Sequence, residues 1–270
     1  METDITVSHI WQDEPEIALA VKVASGQGKG ESESTSTPPG FVWLGGFKSD
    51  MTGTKAEAMV LEAHEQGCDS LRFDYSGHGS SGGKFVDGCI SRWVSESLAV
   101  IRTCTNGPQV LVGSSMGGWI ALRVCQELMA AKEGDRLAGL LLIAPAPDFT
   151  KELMEPEFSD RHWAELEEKG YFEEPTPYSD EPNVITKKLI EDGRNNLVLN
   201  QNLALGVPVH IIQGTDDPDV PPSHAERLMQ ALPHDNVTLT MVQGGDHRLS
   251  TDENIALLRR IIGNICKELS

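Results

Sequence analysis

Residues 110–122 read VLVGSSMGGWIAL. An apolar run with strand character breaks into small residues and then resumes at helical spacing, so the segment predicts a strand passing into a helix through a turn at Ser115. Gly113-Ser114-Ser115-Met116-Gly117 fits the pattern G-x-S-x-G. Between a strand and a helix, that pattern strains the serine backbone and lifts its hydroxyl above the sheet edge. The first N–H groups of the helix lack intrahelical partners and lie at the positive end of its dipole, where a developing oxyanion is stabilised. The plainer alternative is a Ser/Gly turn in which Ser115 only caps the helix.

The flanking sequence repeats the alternation. FVWLG (41–45), SLRFDY (70–75), QVLVG (109–113), RLAGLLLIAP (136–145), VPVHIIQG (207–214) and VTLTMVQ (237–243) read as strands. Between and after them, 54–67, 90–103, 116–134, 223–232 and 253–269 carry helical periodicity. Strands apolar on both faces and separated by helices predict an α/β fold, a mostly parallel central sheet covered on both sides. The polar stretch Ser25 to Gly40 reads as a loop joining two N-terminal strands. Residues 148–205, rich in Pro, aromatic and acidic residues, interrupt the pattern and are read as a mainly helical cap between an N-terminal core part (1–147) and a C-terminal one (206–270).

A serine hydroxyl is a weak nucleophile until a base takes its proton, so the catalytic reading of Ser115 requires an acid and then a histidine further along the chain. His247 lies in a glycine-flanked loop after the last strand, in GGDHRLS. Of the eight histidines, it alone occupies that position; His78, His210 and His224 read as loop, strand and helix-start residues. Asp217 is the preferred acid, with Asp219 second; Asp216 reads as a loop brace, and Asp246 is too near His247 in the chain to orient it easily. Oxyanion donors follow from topology: the N–H of Met116, after the nucleophile, and the N–H of Phe47 in the loop after FVWL. Gly77-His78-Gly79-Ser80-Ser81-Gly82 matches G-x-G-x-x-G, but Gly83 to Gly88 intervene before the next helix, against a dinucleotide site.

Composition excludes other classes. With 39% hydrophobic and 23% charged residues over 270, this is the composition of a soluble globular chain. A net charge of −19 disfavours nucleic acid and anionic membranes as partners, and no apolar run reaches a membrane span. The acidic start lacks the signature of a secretory signal, so cytoplasmic residence is expected. Five cysteines without C-x-x-C pairs suggest neither a disulfide framework nor a zinc site, and no metal or cofactor is expected.

The segments GGFKSDMTGTKA, LRFDYSGHGSSGG, GPQVLVGSSMGGW, DPDVP and DHRLS together resemble the serine α/β-hydrolases, and within them the palmitoyl-protein thioesterase and acyl-glucuronide esterase branch. The resemblance implies a triad of Ser115, Asp217 and His247, an oxyanion hole of Phe47 and Met116, and hydrolysis of carboxylic esters or acyl thioesters of small molecules or acylated proteins. Under it, FDYSGHGSS is the loop beside the site. A peptidase or perhydrolase on the same fold, or a ligand-binding homologue without turnover, is the alternative.

Overall fold

The computed structural model describes residues 2–12, 14–26, 38–176 and 179–269. An N-terminal hairpin, β1 (Glu2–His9) and β2 (Ile17–Ala24), leads to β3 (Gly40–Leu44), α1 (Thr54–Glu65), β4 (Ser70–Phe73) and α2 (Ile90–Cys104). Then follow β5 (Gln109–Ser114), α3 (Met116–Ala130) and β6 (Leu137–Ile143). The polar stretch read as a loop runs from β2 to β3, and its residues 27–37 lie outside the described ones.

The chain next leaves the sheet. It forms a π-helical turn at Thr150–Met154, a 3-10 turn at Glu155–Glu157, α4 (Asp160–Lys169), the hairpin β7 (Tyr171–Thr176) and β8 (Ser179–Thr186), and α5 (Lys187–Arg194). It returns as β9 (Val209–Gly214), α6 (Pro222–Gln230), β10 (Val237–Val242) and α7 (Asp252–Glu268). The excursion carries more helix than strand, and the hairpin is an element the mainly helical reading did not include. Among the described residues of the hairpin only Phe172 and Ile185, paired across the two strands, are buried, and no run of alternating apolar residues marks it in the sequence.

Among the described residues eight strands form one sheet, in the order β1-β2-β4-β3-β5-β6-β9-β10. From β4 to β10 all neighbours are parallel, and β1 and β2 add an antiparallel edge. Strand side chains alternate between two cores. Phe41, Trp43, Val110, Val112, Leu141 and Ile143 pack toward α1 and α7, whereas Val42, Leu44, Leu111, Leu140 and Leu142 pack with α2, α3 and α6. Each such Val, Leu or Phe contributes about 1.5–3 kcal/mol on burial, so burial on both faces fixes the register of β3, β5 and β6, whereas the edge strands β1 and β10 bury one residue and none and are held by their ladder hydrogen bonds.

This strand order positions a site. From β3 the chain moves outward to β4, then crosses back to place β5 on the other side of β3. The loops leaving β3 and β5 therefore diverge, and a crevice opens between them at the carboxyl ends of the strands. The loops after β6, β9 and β10 reach the same edge. No helix among the described residues is long and apolar enough to cross a membrane.

Candidate active site

Ser115 stands between β5 and α3 with φ 54° and ψ −119°, a conformation that costs a non-glycine residue about 1–3 kcal/mol. Its surroundings hold it there. Its N–H donates to Ile143 O at 2.9 Å, and its carbonyl accepts from Gly118 N at 2.9 Å and Ala146 N at 3.1 Å. Gly117 lets the first turn of α3 lie against β3: a Cβ there would run into the carbonyl oxygens of Leu44 and Gly45. Ser115 occupies the position before the helix, but its side chain makes no capping bond. Its hydroxyl lies 3.0 Å from His247 Nε2 instead.

The imidazole reaches Ser115 from the loop after β10, and its Nδ1 lies 2.9 Å from Asp217 Oδ2. A carboxylate only accepts, so Nδ1 carries the proton and Nε2 presents a lone pair to the serine. Asp217 sits in the turn after β9 with its side chain wholly buried. Its Oδ1 accepts from the N–H groups of Asp219 at 2.9 Å and Val220 at 2.8 Å, and Oδ2 also accepts from Gln213 Nε2 at 3.0 Å. Burial pushes this carboxyl up, but the hydrogen bonds from His247 and the two backbone groups outweigh it, and the pKa lies below its usual 3.8. The group stays ionised.

The other acids are placed elsewhere. Asp219 gives its backbone N–H to Asp217, Asp216 accepts from the Thr215 hydroxyl at 2.9 Å, and Asp246 accepts from Leu249 N at 2.9 Å, bracing the loop that carries His247. Ligand atoms of Asp217, Asp219 and His247 lie within 4.8 Å of one another, the one such grouping found among the described residues. Two of these three are already bonded to each other in the relay, which leaves few lone pairs for a metal ion.

The loop after β3 passes directly over Ser115. A Cβ on Gly46 would sit 3.4 Å from Ser115 Cβ and 3.3 Å from Ser114 O, so the next peptide, which carries the Phe47 N–H, borders the serine. Met116 N–H opens α3 on the other side. A cleft of about 860 Å³ lies in front of them. Phe47, Met116, Ala146, Phe149, Leu153 and Met154 form an apolar wall, while Ser49, Asp50, Thr54, Lys55, Arg248 and Ser250 line a polar end. Lys55 Nζ donates to the Arg248 carbonyl, and burial brings its pKa down to about 8 against the upward pull of Asp246.

The sequence reading places Gln213 in a strand, Lys55 in the segment GGFKSDMTGTKA and 149–154 in the cap, but gives none of them a role at the site. The G-x-G-x-x-G stretch forms a loop followed by a 3-10 turn at Phe85–Asp87, and α2 opens at Ile90 rather than at the third glycine.

Comparison with known proteins agrees with this architecture. A protein of Pongo abelii named palmitoyl-protein thioesterase ABHD10, mitochondrial, is 30% identical over 235 residues, 86% of this chain and 74% of that one. The structure of mouse alpha/beta hydrolase domain-containing protein 10 superposes with a TM-score of 0.81 at 28% identity, covering 98% of this chain and all, 100%, of that one. A crystal structure from Agrobacterium vitis S4 gives a TM-score of 0.89 at 48% identity, with 98% of both chains covered. Residues 39–259 match the alpha/beta hydrolase family, and the chain belongs to it.

Proposed function

We propose that this protein is a serine hydrolase that cleaves carboxylic esters or acyl thioesters through an acyl-enzyme on Ser115. The observation that carries the reading is the unbroken relay from the Ser115 hydroxyl through His247 to a buried, ionised Asp217, 3.0 Å and 2.9 Å in its two links. In this reading His247 Nε2 takes the hydroxyl proton as Oγ bonds to the substrate carbonyl carbon, and the carbonyl π electrons move onto its oxygen. The N–H groups of Phe47 and Met116 receive that oxyanion, each worth about 2.7–4 kcal/mol to the transition state. Collapse expels the alcohol or thiol, which takes the proton from Nε2. Water, deprotonated by the same nitrogen, then releases the acid and restores Ser115.

Residues 148–205 act as a cap in this proposal. Its first turn supplies Phe149, Leu153 and Met154 to the apolar wall, suited to an acyl chain, and the cleft volume falls in the roughly 300–1,000 Å³ of small-molecule sites. A thiol, with a pKa near 8.5, leaves more readily than an alcohol, so cap shape rather than catalytic power decides between esters and thioesters. The names of the ABHD10 relatives favour thioesters. A reducing compartment, by our proposal the cytoplasm, suits a chain in which four of five cysteines are buried thiols.

A fluorophosphonate probe with p-nitrophenyl butyrate hydrolysis tests the assignment. Wild type is labelled and turns over the ester; Ser115→Ala does neither. Equal labelling of the two proteins refutes the nucleophile.

A further inference from the structure

The FDYSGHGSS loop after β4 has no part in the relay, yet it grips the loop after β3 at three places. Tyr75 Oη donates to Gly45 O at 3.4 Å, Asp74 Oδ1 accepts from Met51 N at 2.7 Å, and His78 Nε2 lies 3.3 Å from Lys48 N. The last contact stands out. Lys48 has φ 57°, a left-handed conformation unfavourable for lysine, and it directly follows Phe47. Something must hold it.

The chemistry of His78 suits that task. Its Nδ1 lies 3.1 Å from Ser76 O. A carbonyl cannot donate, so Nδ1 bears the ring proton and Nε2 is left as a bare acceptor for the Lys48 N–H. The ring is only 3% exposed, edge-on to Tyr75, Phe85 and Trp93 with centroids 5.2–5.4 Å away. Burial lowers its pKa to about 4, against an upward pull from the Ser76 carbonyl, so the acceptor persists at neutral pH. The chain is shaped to bring the ring there: Gly79, at φ 45°, has no room for a Cβ beside the Asp74 carboxylate.

We propose that His78 is a positioning residue for the oxyanion loop, its Nε2 fixing the peptide after Phe47 and thereby the direction of the Phe47 N–H. The inference rests on the proposed serine-hydrolase reading, in which Ser115 is the nucleophile and Phe47 an oxyanion donor. His78 touches no reacting atom; it acts through the backbone of residues 47–48. Misdirecting one donor should weaken binding of the tetrahedral species while leaving the ground state nearly untouched.

The test compares His78→Gln with His78→Leu, two side chains of similar bulk, of which only Gln places an acceptor where Nε2 stood. With p-nitrophenyl butyrate, His78→Leu should lose about 10- to 100-fold in kcat with KM within about threefold of wild type, and affinity for an alkyl trifluoromethyl ketone should fall in parallel. His78→Gln should recover most of both. Wild-type kcat in His78→Leu, or equal losses in the two variants that track their melting temperatures, would overturn the proposal. A readout on the wild-type protein needs no variant: a scalar coupling across the hydrogen bond from the Lys48 amide to His78 Nε2 supports it, and a Lys48 amide exchanging as in an unfolded chain refutes it. Failure of the underlying reading is separable, because the fluorophosphonate would then leave wild type and both variants unlabelled. Failure of the His78 inference alone leaves wild type and His78→Leu labelled at the same rate.

Discussion

Replacing Asp217 by Asn changes one atom of the relay and should remove almost all turnover. All four partners of the carboxylate are donors: Asp219 N and Val220 N on Oδ1, His247 Nδ1 and Gln213 Nε2 on Oδ2. An amide offers one oxygen and one NH₂, so either orientation sets a donor against two donors. If the oxygen keeps the backbone pair, the NH₂ faces His247 and draws a lone pair to Nδ1. The ring proton then moves to Nε2, and His247 donates to Ser115 instead of accepting from it. A relay in the wrong tautomer loses about 10⁴ in kcat, or about 5.4 kcal/mol on the barrier at 1.36 kcal/mol per decade. If the oxygen turns to His247, two buried N–H groups lose their acceptor, at about 1–3 kcal/mol each. The assay is kcat for p-nitrophenyl butyrate alongside urea denaturation across pH. Because the folded pKa of Asp217 lies below its usual 3.8, the carboxylate's contribution to stability is complete above that value and is lost as pH falls through the lower, folded one. The stability gap between wild type and variant should therefore be full at pH 7 and shrink below about pH 4. A variant within tenfold of wild-type kcat, or a gap that widens toward acid, would refute the reasoning.

Gly117→Ala should lower thermal stability by about 1–3 kcal/mol and reduce kcat, because the added methyl drives α3 away from the carbonyls of Leu44 and Gly45; an unchanged melt and rate would count against the close packing of the elbow. Leu153→Trp should shift the preferred p-nitrophenyl ester toward shorter acids, with the octanoate-to-acetate ratio of kcat/KM falling about tenfold. An unaltered chain-length profile would remove the 149–154 turn from the acyl site. Arg92→Ala should cost about 3–5 kcal/mol in urea denaturation, since the Arg92 and Glu96 side chains, 2% and 0% exposed and 3.1 Å apart, would lose their pairing inside the protein.

What could be read from the sequence depended on how local its physical cause was. The strands and helices of the core were legible because each needs an apolar period only 4 to 17 residues long, and their observed ends differ from the expected ones by a few residues. Ser115 was legible because its strain needs small neighbours in immediate sequence. The hairpin in the excursion was not, because among its described residues only Phe172 and Ile185 are buried, and its pairing is stabilised by α4, α5 and that one buried cross-strand contact. His78 stood in view as part of a glycine motif, but its partner is a backbone N–H 30 residues away, and no side-chain identity encodes that. Gln213 is hidden in the same way: it sits in β9 as one polar residue among apolar ones, and only the folded turn brings Asp217 onto its amide.

These placements divide the work between rigid and variable parts. Ser115, Asp217 and His247 follow β5, β9 and β10; β5 and β9 are held in register by sheet hydrogen bonds and by buried side chains, and the edge strand β10 by its hydrogen bonds to β9. A shift of one residue in β5 or β9 would exchange its two faces, so the relay inherits the precision of the core. The apolar wall of the cleft, assigned to the acyl chain in the proposed function, includes by contrast Phe149, Leu153 and Met154, at a π-helical turn outside the sheet. That turn is tied down by Asp148, whose carboxylate accepts from Val198 N and Leu199 N at 2.8–3.1 Å, and by the ion pairs of Glu155 with Lys151 and Arg194. Within it Phe149 packs against Trp119 in the core, whereas Leu153 and Met154 are only partly buried. Under the proposed function the sheet sets the chemistry and the excursion the choice of substrate, so changes in acyl preference should arise from substitutions at Leu153 and Met154 that leave the rate of fluorophosphonate labelling at Ser115 intact.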